Sequence, residues 1–301
     1  MTFNVDDCGA PREKFLPFDP NTRPPSRTPP PLACDSQIHV FGPTHRYPVR
    51  NESVFEDTIS TLEESKLMHA VIGIERCVLV HCGAVYGADN SVTYDSLKRA
   101  GPNYRGACVI NEQTTDQELR DLHDVGVRSA RFNFFAGVNL IYDPALFPRS
   151  VARAADMGWY IRVHPPTGGL KELYDLLDPL GDIQVQLDHY GRPNMDGGPL
   201  QDETVDLVVE LLKRGNFWVQ LSNAHRFTKQ GPLMPDMTDV ARKYYEAAPD
   251  RITWATDWPH CLAREKMEND GDILDYLFRS FPTEKEQQDI LVTNPAILHQ
   301  F

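Results

Sequence analysis

No apolar run in this 301-residue chain approaches the roughly 20 residues needed to cross a bilayer. The opening stretch, MTFNVDDCGAPREKF, has an acidic start and lacks the apolar centre of a secretory signal, so a cytoplasmic protein is expected. Positive charge is also scarce. With 30 Lys and Arg against 43 Asp and Glu, the formal charge is −13, which repels phosphate backbones and anionic lipid and argues against nucleic-acid and membrane partners. Cysteine is limited to six residues, Cys8, Cys34, Cys77, Cys82, Cys108 and Cys261, none in CxxC spacing. That pattern excludes a zinc knuckle and points to reduced thiols, several of them in apolar runs.

Proline is concentrated where regular structure is excluded. Pro11, Pro17, Pro20, Pro24, Pro25, Pro29, Pro30 and Pro31 make residues 1–33 an extended arm, either lying across the rest of the chain or loosely held. From residue 34 onward, eight β-rich runs recur: ACDSQIHVFG, RCVLVHCGA, YRGACVIN, VRSARFNFF, WYIRVHPP, IQVQLDHYG, FWVQLSN and ITWATDWPH. Between them lie segments such as TTDQELRDLHDVG and ETVDLVVELLKRG, with apolar residues three and four apart and Gly near the helix end. Eight strand-plus-helix units without a Gly-rich phosphate turn predict an α/β chain closed as a (β/α)8 TIM barrel over residues 34–301, preceded by the Pro-rich arm.

In such a barrel the chemistry gathers where strands end and loops begin. The polar residues there are Gln37, His39, His81, Arg131, Asn133, Arg162, His164, His189, Arg192, Ser222, Asn223, Arg226, Asp257 and His260. A lone strand-end histidine is ordinarily structural, but four strands ending in His and another in Asp exceed what core packing explains. Alternation sets Gln37 with His39 and Arg162 with His164 on shared faces. Asp188 and His189 point oppositely, so one of that pair looks into the mouth. Asp257, in TDWPH, is the candidate catalytic carboxylate. His45, His69, His123 and His299 fall away from strand ends and read as structural. His225 neighbours Arg226 and is left open.

The set CDSQIHVFGP, VYGADN, GVRSARFNF, LDHYGRP and ATDWPH resembles the amidohydrolase superfamily, in its branch of aromatic decarboxylases and lactone hydrolases, over most of residues 33–301. The resemblance implies a distorted (β/α)8 barrel, a place in the breakdown of aromatic compounds and, in the lactonase subgroup, ring opening without a required metal. It assigns Asp257 as general base, with His39 and His189 polarising the lactone carbonyl. Gln37, His81, Arg131, His164, Arg192, Arg226 and His260 would bind substrate, Arg131 and Arg226 holding its carboxylate.

Two departures modify that transfer. Metal-dependent relatives carry HxH on the first strand, and here Gln37 replaces the first histidine, which favours a metal-free site. The dipeptide His164-Pro165 resembles the zinc-bearing decarboxylases, and His39, His164, His189 and Asp257 would be the ligands if zinc or another divalent ion were held. FNFFAGVN lacks the additional arginine expected of a pyrone dicarboxylate site, pointing to another acid, and Phe134 and Phe135 suit an apolar part of it.

The leading expectation is therefore a metal-independent hydrolase opening the lactone of a small carboxylic acid, with that small molecule as its partner. The alternatives are a metal-dependent decarboxylase of an aromatic or unsaturated acid, a lactone isomerase, and a barrel that binds an acid without turning it over. A homo-oligomer is compatible with the sequence, which does not fix the oligomeric state.

Overall fold

In the computed structural model, residues 15–50, 53, 60–135, 144–198 and 202–301 are described. Cys8 and residues 136–143 lie outside them.

All eight predicted strands form, as β1 Cys34–Ile38, β2 Arg76–Val80, β3 Tyr104–Cys108, β4 Val127–Asn133, β5 Tyr160–His164, β6 Val185–Leu187, β7 Phe217–Leu221 and β8 Ile252–Trp254. They run in order β1 to β8, each parallel to the next. The ends meet beyond β8. There His39 N donates to Trp258 O at 2.8 Å and Asp257 N donates to Gln37 O at 3.1 Å, so the residues that close the barrel are those carrying the chemistry.

Helices fill the crossovers, and their starts follow local rules. Thr61, Thr115 and Thr283 each cap a helix reciprocally with Glu64, Glu118 and Glu286. The main apolar core lies between sheet and helices, including Phe132, Phe147, Val208 and Leu274. The interior is divided. Cys34, Val78, Val80 and Ala107 make a small apolar cluster, and Tyr160, Trp218 and Leu298 make another. On β4 and β5, alternation turns Arg131 and Asn133, with Arg162 and His164, to one face, and register pairs Arg131 with Arg162 and Asn133 with His164.

The described part of the arm is docked. Leu16 N donates to Ala263 O at 2.8 Å, Arg23 N to Asn269 Oδ1 at 3.0 Å and Ser26 N to Asp275 Oδ1 at 2.7 Å. Phe18 sits 5.0 Å from the Trp258 ring. Gly271 permits this approach, since a Cβ there would stand 2.1 Å from Arg23 O.

Candidate active site

A cavity of about 420 Å³ opens at the C-terminal end of the strands. Asp257, 4% exposed, sits in its wall. Gln37 Nε2 donates to Asp257 Oδ1 at 2.6 Å and Asn223 Nδ2 donates to Oδ2 at 2.7 Å. His39 Nε2 lies 3.4 Å from Oδ1, while its Nδ1–H donates to Val80 O at 2.7 Å. Burial alone would raise Asp257, but the positive potential of His189 and His39, the His39 hydrogen bond and Arg226 hold it well below the usual carboxylate range. His39 answers in the opposite sense: burial disfavours its charge, and the bond to Asp257 outweighs that and raises it. The two form a buried ion pair.

His189 is different. Burial pushes it down to about 3, so it is neutral near pH 7, and the restraint on Asp257 there falls to His39 and the amide donors. Asn223 Nδ2 stands 3.2 Å from His189 Nδ1, and Ser222 Oγ donates to Gln220 Oε1 at 3.0 Å, so Ser222 turns a lone pair to His189. Ser222 Oγ lies 2.7 Å from the same Nδ1.

Beneath the cavity runs a buried chain. Arg162, 0% exposed, donates to Gln37 Oε1 at 2.5 Å, to Ser36 O at 2.8 Å and to Asp188 Oδ1 at 2.9 Å. Arg131 Nε takes the other Asp188 oxygen at 2.9 Å. Burial would raise Asp188, but Arg162 and Arg131 lower it. Because Arg162 only donates, Gln37 must turn its oxygen to Arg162 and its NH2 to Asp257.

His164 stands between two guanidiniums, with Arg131 Nη2 3.1 Å from its Nδ1 and Arg192 Nη1 3.2 Å from its Nε2. Burial, Arg131, His189 and Arg192 push its pKa well below the ordinary value. A neutral imidazole has one lone pair and accepts from one of them, so the other guanidinium keeps an N–H without an acceptor there. Arg192 is further held by Thr167 Oγ1 at 2.7 Å and stacks 4.1 Å from the Phe135 ring. Its buried Nε has no hydrogen-bond partner among the described residues.

The cavity gathers His39, Arg131, His164, His189, Arg192, Arg226, Asp257 and His260 from the predicted set, with His225 and Phe135. Two predicted substrate contacts stand elsewhere. Gln37 is fully buried and spends its amide on Asp257 and Arg162. His81, 1% exposed, has Nδ1 3.2 Å from Thr93 Oγ1 and Nε2 3.0 Å from Gly87 O, so both nitrogens are engaged outside the cavity. Phe134 also packs away, against Phe147. Of the LDHYG pair, His189 lines the cavity and Asp188 lies below it. His69 binds Asp35 at 3.2 Å and His299 binds Tyr160 and Ser36, both buried structural pairs.

Sequence reading listed Asn223, Ser222 and Arg162 at strand ends without giving them a role, and it missed the Asp270 that binds His260 Nε2 at 3.0 Å. One signal was the polar dipeptide closing β7. Another is visible only in the backbone. His189, Arg192, Asn223, Asp257 and His260 all have φ between 54° and 64°. For residues with a Cβ this costs about 1–3 kcal/mol each, strain held in place by the surrounding hydrogen bonds.

The Amidohydrolase family model matches residues 34–299. This chain belongs to the amidohydrolase family. It is 33% identical over 273 residues to the 4-sulfomuconolactone hydrolase of Hydrogenophaga intermedia, covering 89% of each chain. It is 30% identical to the 2-pyrone-4,6-dicarboxylate hydrolase of Comamonas testosteroni, covering 89% of this chain and 90% of that one. Among solved structures, an Agrobacterium tumefaciens protein in its apo form superposes with a TM-score of 0.83 at 22% identity, covering 94% of this chain and 99% of that chain. That likeness shows the barrel fold.

The four side chains expected to bind a metal, His39, His164, His189 and Asp257, do not form one cluster among the described residues. The group whose ligand atoms lie within 4.8 Å of one another is His164, Asp188 and His189. Both Asp188 oxygens are already held by arginines. At the Gln37 position a metal would need a lone pair, and the amide presents N–H.

Proposed function

We propose that this amidohydrolase opens a lactone bearing a carboxylate, adding water without a bound metal. The observation that carries the reading is the clamped Asp257. Its oxygens accept from Gln37, Asn223 and His39, which fixes its orientation beside the cavity and leaves lone-pair capacity for a water proton. The water oxygen bonds to the lactone carbonyl carbon as Asp257 takes its proton. Protonated His39 offers a donor to the oxyanion that develops, and His189 stands beside it in the cavity wall. The tetrahedral centre then collapses, the ring C–O bond breaks, and the departing oxygen takes the proton that Asp257 had accepted.

Arg131, Arg192 and Arg226 supply the cationic wall. The two-guanidinium arrangement at His164 favours a carboxylate entering there, since an anion provides the acceptor that the second arginine lacks. The names of the two relatives support a lactone carrying acidic substituents. Metal independence is supported by the inward N–H of Gln37 and by the arginines on Asp188. A cytoplasmic setting is supported by free Cys34, Cys77, Cys82, Cys108 and Cys261.

The test is a panel of carboxylated lactones, scored for ring-opened acid, with the protein before and after exhaustive chelation and metal analysis. Ring opening that survives chelation and disappears in Asp257→Asn is the expected result. Carbon dioxide release, or activity that returns only with a divalent ion, would replace this reading with a metal-dependent decarboxylase.

A further inference from the structure

Asp257 is held from both sides through the backbone. Before it, Thr256 N donates to Asp35 Oδ1 at 3.1 Å and Asp257 N donates to Gln37 O, which ties the segment to β1. After it, the chain turns on residues that carry a Cβ and yet adopt the left-handed region, Asp257 at φ 64°, His260 at 61° and Leu262 at 71°. Two backbone bonds close the turn, from His260 N to Asp257 O at 2.9 Å and from Ala263 N to His260 O at 3.2 Å. Left-handed backbone is unfavourable for such residues, so a turn of this kind persists only where its surroundings over-determine it.

On this side the hold comes through His260. Its Nε2 lies 3.0 Å from Asp270 Oδ1, and the two residues are 2% and 1% exposed. An ionised carboxylate only accepts, so Nε2–H donates and Asp270 orients the ring. Asp270 opens the helix Asp270–Ser280, and its N-cap Asn269 is itself fixed. Asn269 Oδ1 accepts from Gly271 N and Arg23 N, and its Nδ2 donates to Asp19 Oδ2 and Asn21 O. Helix and arm thus give Asp270 a set place from which it reaches the turn. The bond also closes the loop 260–270, of which Cys261, Leu262, Ala263 and Lys266 line the cavity along with His260.

We propose that Asp270 is a positioning residue of this active site: by fixing His260 it holds the left-handed turn that presents the Asp257 carboxylate, and so it serves turnover rather than substrate binding. The proposal rests on the reading of Asp257 as the base. Without an acceptor at position 270 the His260 ring loses its anchor and the turn relaxes. Rotation of the Asp257 backbone then swings its oxygens off the bonds of 2.6 Å to Gln37 and 2.7 Å to Asn223. A displacement of about 1 Å at a reacting group costs on the order of 100-fold in rate. Arg131 and Arg192, held by Asp188, His164 and Thr167, make none of their bonds to the turn, so the anion keeps its cations.

The test compares two full-chain variants of nearly equal side-chain volume. Asp270→Asn keeps an oxygen that accepts from His260 Nε2–H, and Asp270→Leu does not. Ring opening of a carboxylated lactone is measured well below each unfolding midpoint, with calorimetric binding of the ring-opened acid and a crystal structure of each variant. Asp270→Leu should lower kcat roughly 10- to 100-fold, with KM and the affinity for the acid within about twofold, and Asp270→Asn should keep most of the activity. In the Asp270→Leu structure the Asp257 carboxylate should have left Gln37 Nε2. His260→Phe keeps a ring without the N–H and should show the same loss, with no further loss when Asp270→Leu is added, so it carries the test if Asp270→Leu alone does not fold. An unchanged kcat in Asp270→Leu, a loss residing in KM, or Asp270→Asn impaired as much as Asp270→Leu would overturn the proposal. If the unaltered chain opens no lactone, the functional reading falls, and the crystal structures still decide this proposal because they report where Asp257 stands.

Discussion

The floor and the mouth of the cavity are built from the same residue types and hold them in opposite ways. On the floor, Arg162, Gln37, Asp188, Arg131, Asn223 and Asp257 spend donors and acceptors on one another, and Arg162 and Asp188 are 0% exposed. At the mouth, Arg192 rests on an aromatic ring and keeps an unpartnered Nε, and Arg226 is exposed and held by a single backbone carbonyl. The floor is a set of mutual partners that fixes geometry, with Asn223 Oδ1 left without one among the described residues. The mouth keeps unspent donors, the condition for taking up an anion. Charge on the floor therefore acts on stability and on the orientation of Asp257, and charge at the mouth acts on affinity.

The largest effect that contrast predicts is at the carboxylate. Asp257→Asn cannot accept the water proton and should lower kcat by about 10³-fold, as loss of a positioned general base does, with the far-UV spectrum retained. A variant keeping more than a tenth of the activity would remove Asp257 from the role of base.

Next comes the floor itself. Arg162→Met leaves Asp188 with one of its two cations and Gln37 Oε1 without a donor, and should cost about 3–5 kcal/mol in denaturant unfolding. A change below about 1 kcal/mol would place the floor among the weakly coupled ion pairs typical of surfaces.

The mouth should respond more mildly and in another constant. Arg226→Ala is expected to raise KM about tenfold, the size of one charge-assisted hydrogen bond, and to reduce kcat less than KM rises. A fall in kcat with KM unchanged would move Arg226 from binding to the reacting atoms.

The smallest expected effects are those of pH. Asp257 is lowered from 3.8 and His39 raised from 6.5, so their ion pair persists between those two values and kcat/KM should be flat there. Stability should not be flat. His189 and His81 are held down to about 3 and about 4, both mainly by burial, so their contribution is full above 6.5. It is lost as pH falls through that window, because the unfolded chain takes up protons that the folded one refuses. The His39 contribution has the opposite sign, present below 6.5 and lost as pH rises through its elevated value. Unfolding midpoints measured across this range should fall toward the acid side, and a rise would reverse the assignment of neutral buried histidines.

The sequence by itself determined the barrel, because eight β-rich runs with helical segments between them leave few ways to bury their apolar faces, and the strand ends named most of the polar residues that meet there. It also marked Asp257, His39 and His189 for the cavity, since strand ends in a closed parallel barrel converge. Only the tertiary structure decided what each side chain does on arrival. Gln37 and His81 carry the same strand-end signature as His39, yet one is spent holding Asp257 and the other is satisfied by Thr93 and Gly87. Asp188 became the counter-ion of two arginines from different strands. A hydrogen bond depends on distance and direction within a few tenths of an ångström, and such distances exist only after the chain has closed.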